Sequence, residues 1–166
     1  MKAVVSRCRP AIVLAASLVV AAPALAGVEI GDVQLVKQEA FGTPPDSDKR
    51  ALKAQLPVFE NESVETTRDS ATHLHFKDDT VLRIGSASKV KLDHMIYDPN
   101  SGTGELAVTL SQGAFRYISG KIKNEKVSIK TPTATIGVRG TDITVLVFKD
   151  GSTQLIMNDN SQATIR

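Results

Sequence analysis

From residue 27 onward the apolar positions recur every second residue. Val28 and Ile30, then Val33 and Leu35, fall on this period, with Gly31 between them as a candidate bulge. The segment "TPPDSDKRALKAQLP" interrupts the pattern, because its prolines and Asp/Ser residues favour a loop with at most a turn or two of helix. Alternation resumes in "ESVETTRDSATHLHF". In "TVLRIGSASKVKLDHMIY", Val81 and Arg83 face away from Leu82 and Ile84. "GELAVTLSQGAFRYISGKI" predicts two strands around Gly113, and Glu125 to Ile165 predicts at least three more. No apolar period of 3.6 lasts beyond two turns. The predicted class is all-β, with about ten short strands stacked as a β-roll or solenoid-like body; a β-sandwich is the alternative.

The pattern also repeats. His73 to Leu92 echoes Val145 to Ile165, with Leu74 on Leu146, Phe76 on Phe148 and "FKD" common to both. Asp78-Asp79 and Asp150-Gly151 are turn dipeptides. With one residue inserted after the second turn, Leu82 falls on Leu155, Ser88 on Ser161 and Leu92 on Ile165.

The first 26 residues stand apart. Lys2, Arg7 and Arg9 precede an apolar run from Ala11 to Leu25, and Ala24-Leu25-Ala26 has the small-x-small form of a signal-peptidase site. The expectation is a bacterial secretory signal cleaved after Ala26, giving a periplasmic or secreted protein. The run of ~15 residues is short of the ~20 that span a bilayer, and the mature chain is expected to have no transmembrane segment. Residues 27–56 are expected to form strands and a Pro-rich loop that pack on a β domain at 57–166.

Charge and cysteine count then change meaning. Of the 20 basic residues three lie in the leader, so the rest fall one short of the 18 acidic ones. The basic excess that would suggest a nucleic-acid partner belongs to the leader. Cys8, the one cysteine, lies there too, so the mature chain has no disulfide or thiol chemistry.

The most unusual stretch is "TPTATIGVRGTDITV". Gly137 and Gly140 leave room for close approach by a neighbouring strand. Arg139, between them, is read as a buried staple whose guanidinium binds carbonyl oxygens; anion binding is the other reading. Asp142 is the nearest carboxylate and needs a bulge at Gly140 to reach it. His73 and His75 share one strand face, and with His94 they are a weak candidate for a transition metal. Neither a metal nor a cofactor is expected. The basic "KIKNEKVSIK" is read as a charged hairpin that discourages edge pairing. Tyr97, Arg116 and Tyr117 are candidates for an interaction surface. No nucleophile elbow, Cys–His pair or carboxylate couple points to an enzyme.

"TPTATIGVRGTD" resembles the signature of the FecR domain, a periplasmic all-β module. "LHFKDDTVLRIGSASKVKLD" and the Gly113 to Arg116 piece are similar to its upstream strands. The resemblance covers about Pro57 to Arg166 and makes Thr131, Pro132, Gly137, Arg139, Gly140, Thr141 and Asp142 a structural motif. It implies a non-catalytic module that contacts an envelope or extracellular protein. Cell-envelope signalling or regulation of iron–siderophore uptake is the role it suggests. A self-associating surface component and a cell-wall or polysaccharide-active protein are the alternatives.

Overall fold

The computed structural model describes residues 27–122, 126–139, 142–158 and 162–166, with the side chains of Arg139 and Gln162 outside that description. Among these residues the chain forms fourteen strands: β1 (Glu29–Lys37), β2 (Ala40–Thr43), β3 (Arg50–Ala51), β4 (Pro57–Phe59), β5 (Ser63–Thr66), β6 (Ala71–Phe76), β7 (Val81–Ile84), β8 (Lys89–Asp98), β9 (Thr103–Ile118), β10 (Val127–Lys130), β11 (Thr135–Arg139), β12 (Asp142–Val147), β13 (Thr153–Asn158) and β14 (Gln162–Ile165). The all-β expectation holds. No helix among the described residues is long and apolar enough to cross a membrane.

The strands form one curled sheet that makes two layers. Layer A runs β4-β1-β6-β7-β9-β12-β13, and layer B runs β3-β2-β5-β8-β9-β10-β11-β14. Strand β9 belongs to both. Its first part pairs with β8 and its last residues pair with β7. The two strands expected around Gly113 are therefore one 16-residue strand bent at that glycine. The count rises above ten partly because the loop region contributes the short β3 and β4.

The crease has a specific construction. Gly113 has φ +115°, and a Cβ there would lie 2.0 Å from Ser88 Oγ and 2.6 Å from Ser88 Cα. Ser88 sits in the corner that carries the chain from β7 into β8. Its N–H donates to Thr66 Oγ1 at 3.0 Å, and its hydroxyl oxygen accepts from Ala114 N at 3.2 Å. Ala87 beside it has φ 49°. Two chain segments thus turn between layers against each other, and only a glycine fits where they touch.

One core lies between the layers. Leu74, Leu82 and Phe115 of layer A and Val64, Val90 and Ile129 of layer B are all buried in it. Residues 27–56 are woven into this body. β1 sits between β6 and β4, and Ile30, Val33 and Leu52 are core residues. Gly31 is at a bulge in the β1–β4 pairing, as expected, and a Cβ on it would meet His75 O at 2.2 Å.

The sequence echo corresponds to a repeated connection. β5-β6-β7-β8 and β11-β12-β13-β14 each run from layer B into A, turn back within A, and return to B beside the first strand. The two turns match: Phe76 N donates to Thr80 O and Phe148 N to Ser152 O. Asp78 and Asp150 each accept the backbone N–H two residues on. Because the turns match residue for residue, Leu82 corresponds to Gln154, and the insertion that placed it on Leu155 is corrected.

Sidedness differs too. β6 is parallel to β9, since both are antiparallel to β7, whereas β12 is antiparallel to β9. The second hairpin therefore runs the opposite way, and its alternation is inverted. Phe76 is 1% exposed and Phe148 is 49% exposed.

Candidate interaction surface and the signature motif

The outer face of layer A carries a row of side chains from five adjacent strands. Register places His73, Arg83, Arg116, Thr144 and Ile156 side by side. Alternation forces this, because Leu74, Leu82, Tyr117 and Ile143 occupy the core face. Arg116 Nε donates to Asp142 Oδ1 at 2.9 Å, and Arg116 Nη2 also reaches Asp142 Oδ2. The Arg116 bond is the chief reason the Asp142 carboxyl is held below its usual range. Burial, and then the charge of Arg83, lower the His73 pKa. At the neighbouring end of this face His75 lies 3.5 Å from Asp32 and 3.4 Å from Asp79. Asp79 in turn pairs with Lys121 at 2.6 Å.

The three residues expected to share a surface do not converge. Tyr117 is 2% exposed and points into the core, which corrects its assignment to a surface. It follows Arg116 on a strand, so the two must face opposite ways. Burial pushes its phenol up to about 12, with Thr80 and Ser119 as hydrogen-bond partners. Tyr97 lies in layer B, opposite Gly104, and packs partly on the core. Of the three, Arg116 is the one displayed on the outer face of layer A.

The histidines divide similarly. His73 and His75 share a face as expected, but His94 is on β8 in layer B, bonded to Glu60. Among the described residues no group of three or more His, Cys, Asp or Glu is arranged to hold a metal ion.

The signature stretch opens with a clasp. Thr131 Oγ1 accepts from Ala134 N at 3.1 Å and from Thr153 Oγ1 at 2.9 Å, closing the turn between β10 and β11. Thr133 Oγ1 donates to Gly151 O at 3.2 Å, and a Cβ on Gly151 would lie 3.6 Å from Pro132. The turn therefore fastens the β12–β13 hairpin. Replacing Thr131 with valine is expected to lower unfolding free energy by about 1–2 kcal/mol, read by urea denaturation, because two bonds of this clasp lose their oxygen.

Further along, Gly137 departs from expectation. Among the described residues the nearest atom to a Cβ there is Thr164 O at 3.8 Å, an ordinary contact, so none of them crowds this glycine. The Arg139 side chain, Gly140 and Thr141, on which the staple reading rests, lie outside the described residues, as do residues 1–26, where the leader is expected. Asp142 is described, and Arg116 is among its partners. The basic segment is also corrected. Val127–Lys130 forms β10, parallel to β9 and flanked by β11, so it sits inside layer B and guards no edge.

A buried ion pair that sequence reasoning missed lies in the Pro-rich loop region. Glu62 is 0% exposed. Arg50 Nη2 donates to its two carboxylate oxygens at 3.0 and 3.1 Å and to Pro57 O at 2.6 Å, while Phe59 N donates to Glu62 Oε2 at 2.9 Å. The signal available was an arginine in a Pro/Asp loop, which reads equally well as a solvated charge. Gly42 faces this carboxylate, where a Cβ would lie 2.0 Å from Glu62 Oε1.

Against known proteins, the family model described as FecR protein matches residues 62–161. No curated protein and no solved structure matches the chain.

Proposed function

Since the chain belongs to the FecR family, we propose that it is a non-catalytic protein-interaction module, exported to the cell envelope as a periplasmic or secreted protein. The observation that carries this reading is the family match across residues 62–161. The charged leader and its Ala-Leu-Ala end support export. The partner is an envelope or extracellular protein, and the role is cell-envelope signalling, with regulation of iron–siderophore uptake as the specific case. The outer face of layer A is where contact falls. It spans five strands and carries both signs of charge, with Arg116 of β9 paired to Asp142 of β12 and Lys121 paired to Asp79 at its end, a make-up suited to a complementary protein surface.

The test is a crosslinked native pull-down from periplasmic extract with the wild type and Arg116→Glu. A specific partner recovered by the first and lost by the second is the expected result. Equal recovery by both, or recovery of nothing specific, would count against the proposal. Arg116→Ala is expected to leave the thermal midpoint essentially unchanged, because its ion pair is solvent-exposed. A large drop would show that the arginine holds the fold instead of meeting a partner.

A further inference from the structure

The two ends of the curled sheet are built differently. At one end the outermost strands are β3 and β4, of two and three residues. Short edges resist pairing with another chain. At the other end the outermost strands are β13 and β14, of six and four residues. Among the described residues, β13 pairs with β12 alone and β14 with β11 alone. "TQLIMN" and "QATI" contain no charge, proline or glycine. In the first repeat the corresponding strands β7 and β8 are both covered by β9. In the second repeat no described strand does this.

The core rows also stop there uncovered. Met157 lies on the core side, opposite Ile143, yet is 56% exposed, and Ile156 is 41% exposed on the outer side. Ile165 on β14 is exposed as well.

We infer that a second copy of this chain covers this end, joining β13 to β13 and β14 to β14 about a two-fold axis normal to the layers. Three features select a second copy. A two-fold places a strand against itself, and a strand without charges meets no like charge in doing so. Both layers end together, so one axis extends both sheets. The opposite end is blunted, so pairing closes at two copies and does not run on as a fibre. Residues facing each other across antiparallel strands must share a face. Centring the axis on Ile156 sets Leu155 of one copy against Met157 of the other, closing the core, and sets Gln154 against Asn158.

This contact adds to the module proposed above and does not depend on its partner. The test uses the full chain recovered after export, with any Cys8 removed as Cys8→Ser. Light scattering is expected to give twice the chain mass for the wild type and for Ile96→Lys, a control at an exposed apolar residue on β8. Ile156→Lys is expected to give the single-chain mass with an unchanged circular-dichroism spectrum. Ile156→Cys is expected to form a disulfide-linked dimer on mild oxidation, because facing residues across antiparallel strands lie within disulfide reach.

A wild type that stays at single-chain mass at high concentration, with no Ile156→Cys crosslink, would overturn the inference. So would an Ile156→Lys protein that remains folded and dimeric. If Ile156→Lys fails to fold, the cysteine variant decides alone. A monomeric wild type overturns the second-copy assignment whatever Ile156→Lys does to protein capture, because Ile156 also lies in the outer row of layer A. Loss of the pull-down partner with the dimer intact would tell against the interaction-module reading alone.

Discussion

Gly113→Ala is expected to destabilise the protein by roughly 3–5 kcal/mol, combining a disfavoured backbone with overpacking against a buried neighbour. The first cause is the φ of +115°, which L side chains rarely adopt. The second is space: the new methyl would overlap Ser88 down to its Cα, an atom that cannot rotate away. Ser88 is held from both sides, by Thr66 and by the Ala114 N–H, so relief would break the corner that joins the layers. Urea denaturation of the wild type and Gly113→Ala measures the loss. Adding Ser88→Gly should recover part of it, since the side-chain overlap goes while the backbone overlap and φ remain. Gly137→Ala serves as the contrast: its methyl meets no described atom closer than 3.8 Å, and a change within about 0.5 kcal/mol is expected. Equal effects at the two glycines would disprove the crease argument.

Glu62→Ala is the second large effect, with an expected loss of about 3–5 kcal/mol from leaving a buried guanidinium without its carboxylate. Among the described residues Arg50 would keep Pro57 O and the Phe59 ring, 5.4 Å away, as neighbours of its charge, and its Nε is already buried without a described partner. The pair is not a net source of stability merely because breaking it is costly. Replacing both partners with apolar residues, as in Arg50→Met with Glu62→Leu, should therefore recover most of the loss.

The same pair gives a pH dependence. Burial is the largest influence on Glu62 and raises its pKa above 4.5, against the lowering effects of the Phe59 N–H and Arg50. The folded protein then holds this proton to higher pH than the unfolded chain does. The contribution of Glu62 is full below the unfolded value and is lost as pH rises through the folded one. Glu62→Gln cannot titrate, so the stability of the wild type relative to this variant should fall as pH is raised from about 4 to about 7. A flat difference would show that the carboxyl titrates alike in both states.

The all-β class, the strand-like alternation and the two FKD turns were legible because they depend on local chemistry. A period of two needs only the order of side chains. An Asp that accepts from the residue two ahead needs only its neighbours, as Asp78 and Asp150 both demonstrate. The family signature was legible for the same reason.

Which face of a hairpin is buried was not local. Phe76 and Phe148 occupy the same place in the same turn, and only the strand directions relative to β9 put one inside and the other outside. Nor could sequence distinguish glycines that permit a close approach from glycines that receive one. Gly113 and Gly137 look alike in the chain, and Ser88 stands against only the first. The same limit hid Arg50, whose carboxylate partner comes from beyond an intervening strand, while the arginine between two glycines drew the attention. Sequence alone determined what each segment could become; the curl of the sheet around β9 decided which atoms would meet, because pairing distant strands is a property of the whole chain.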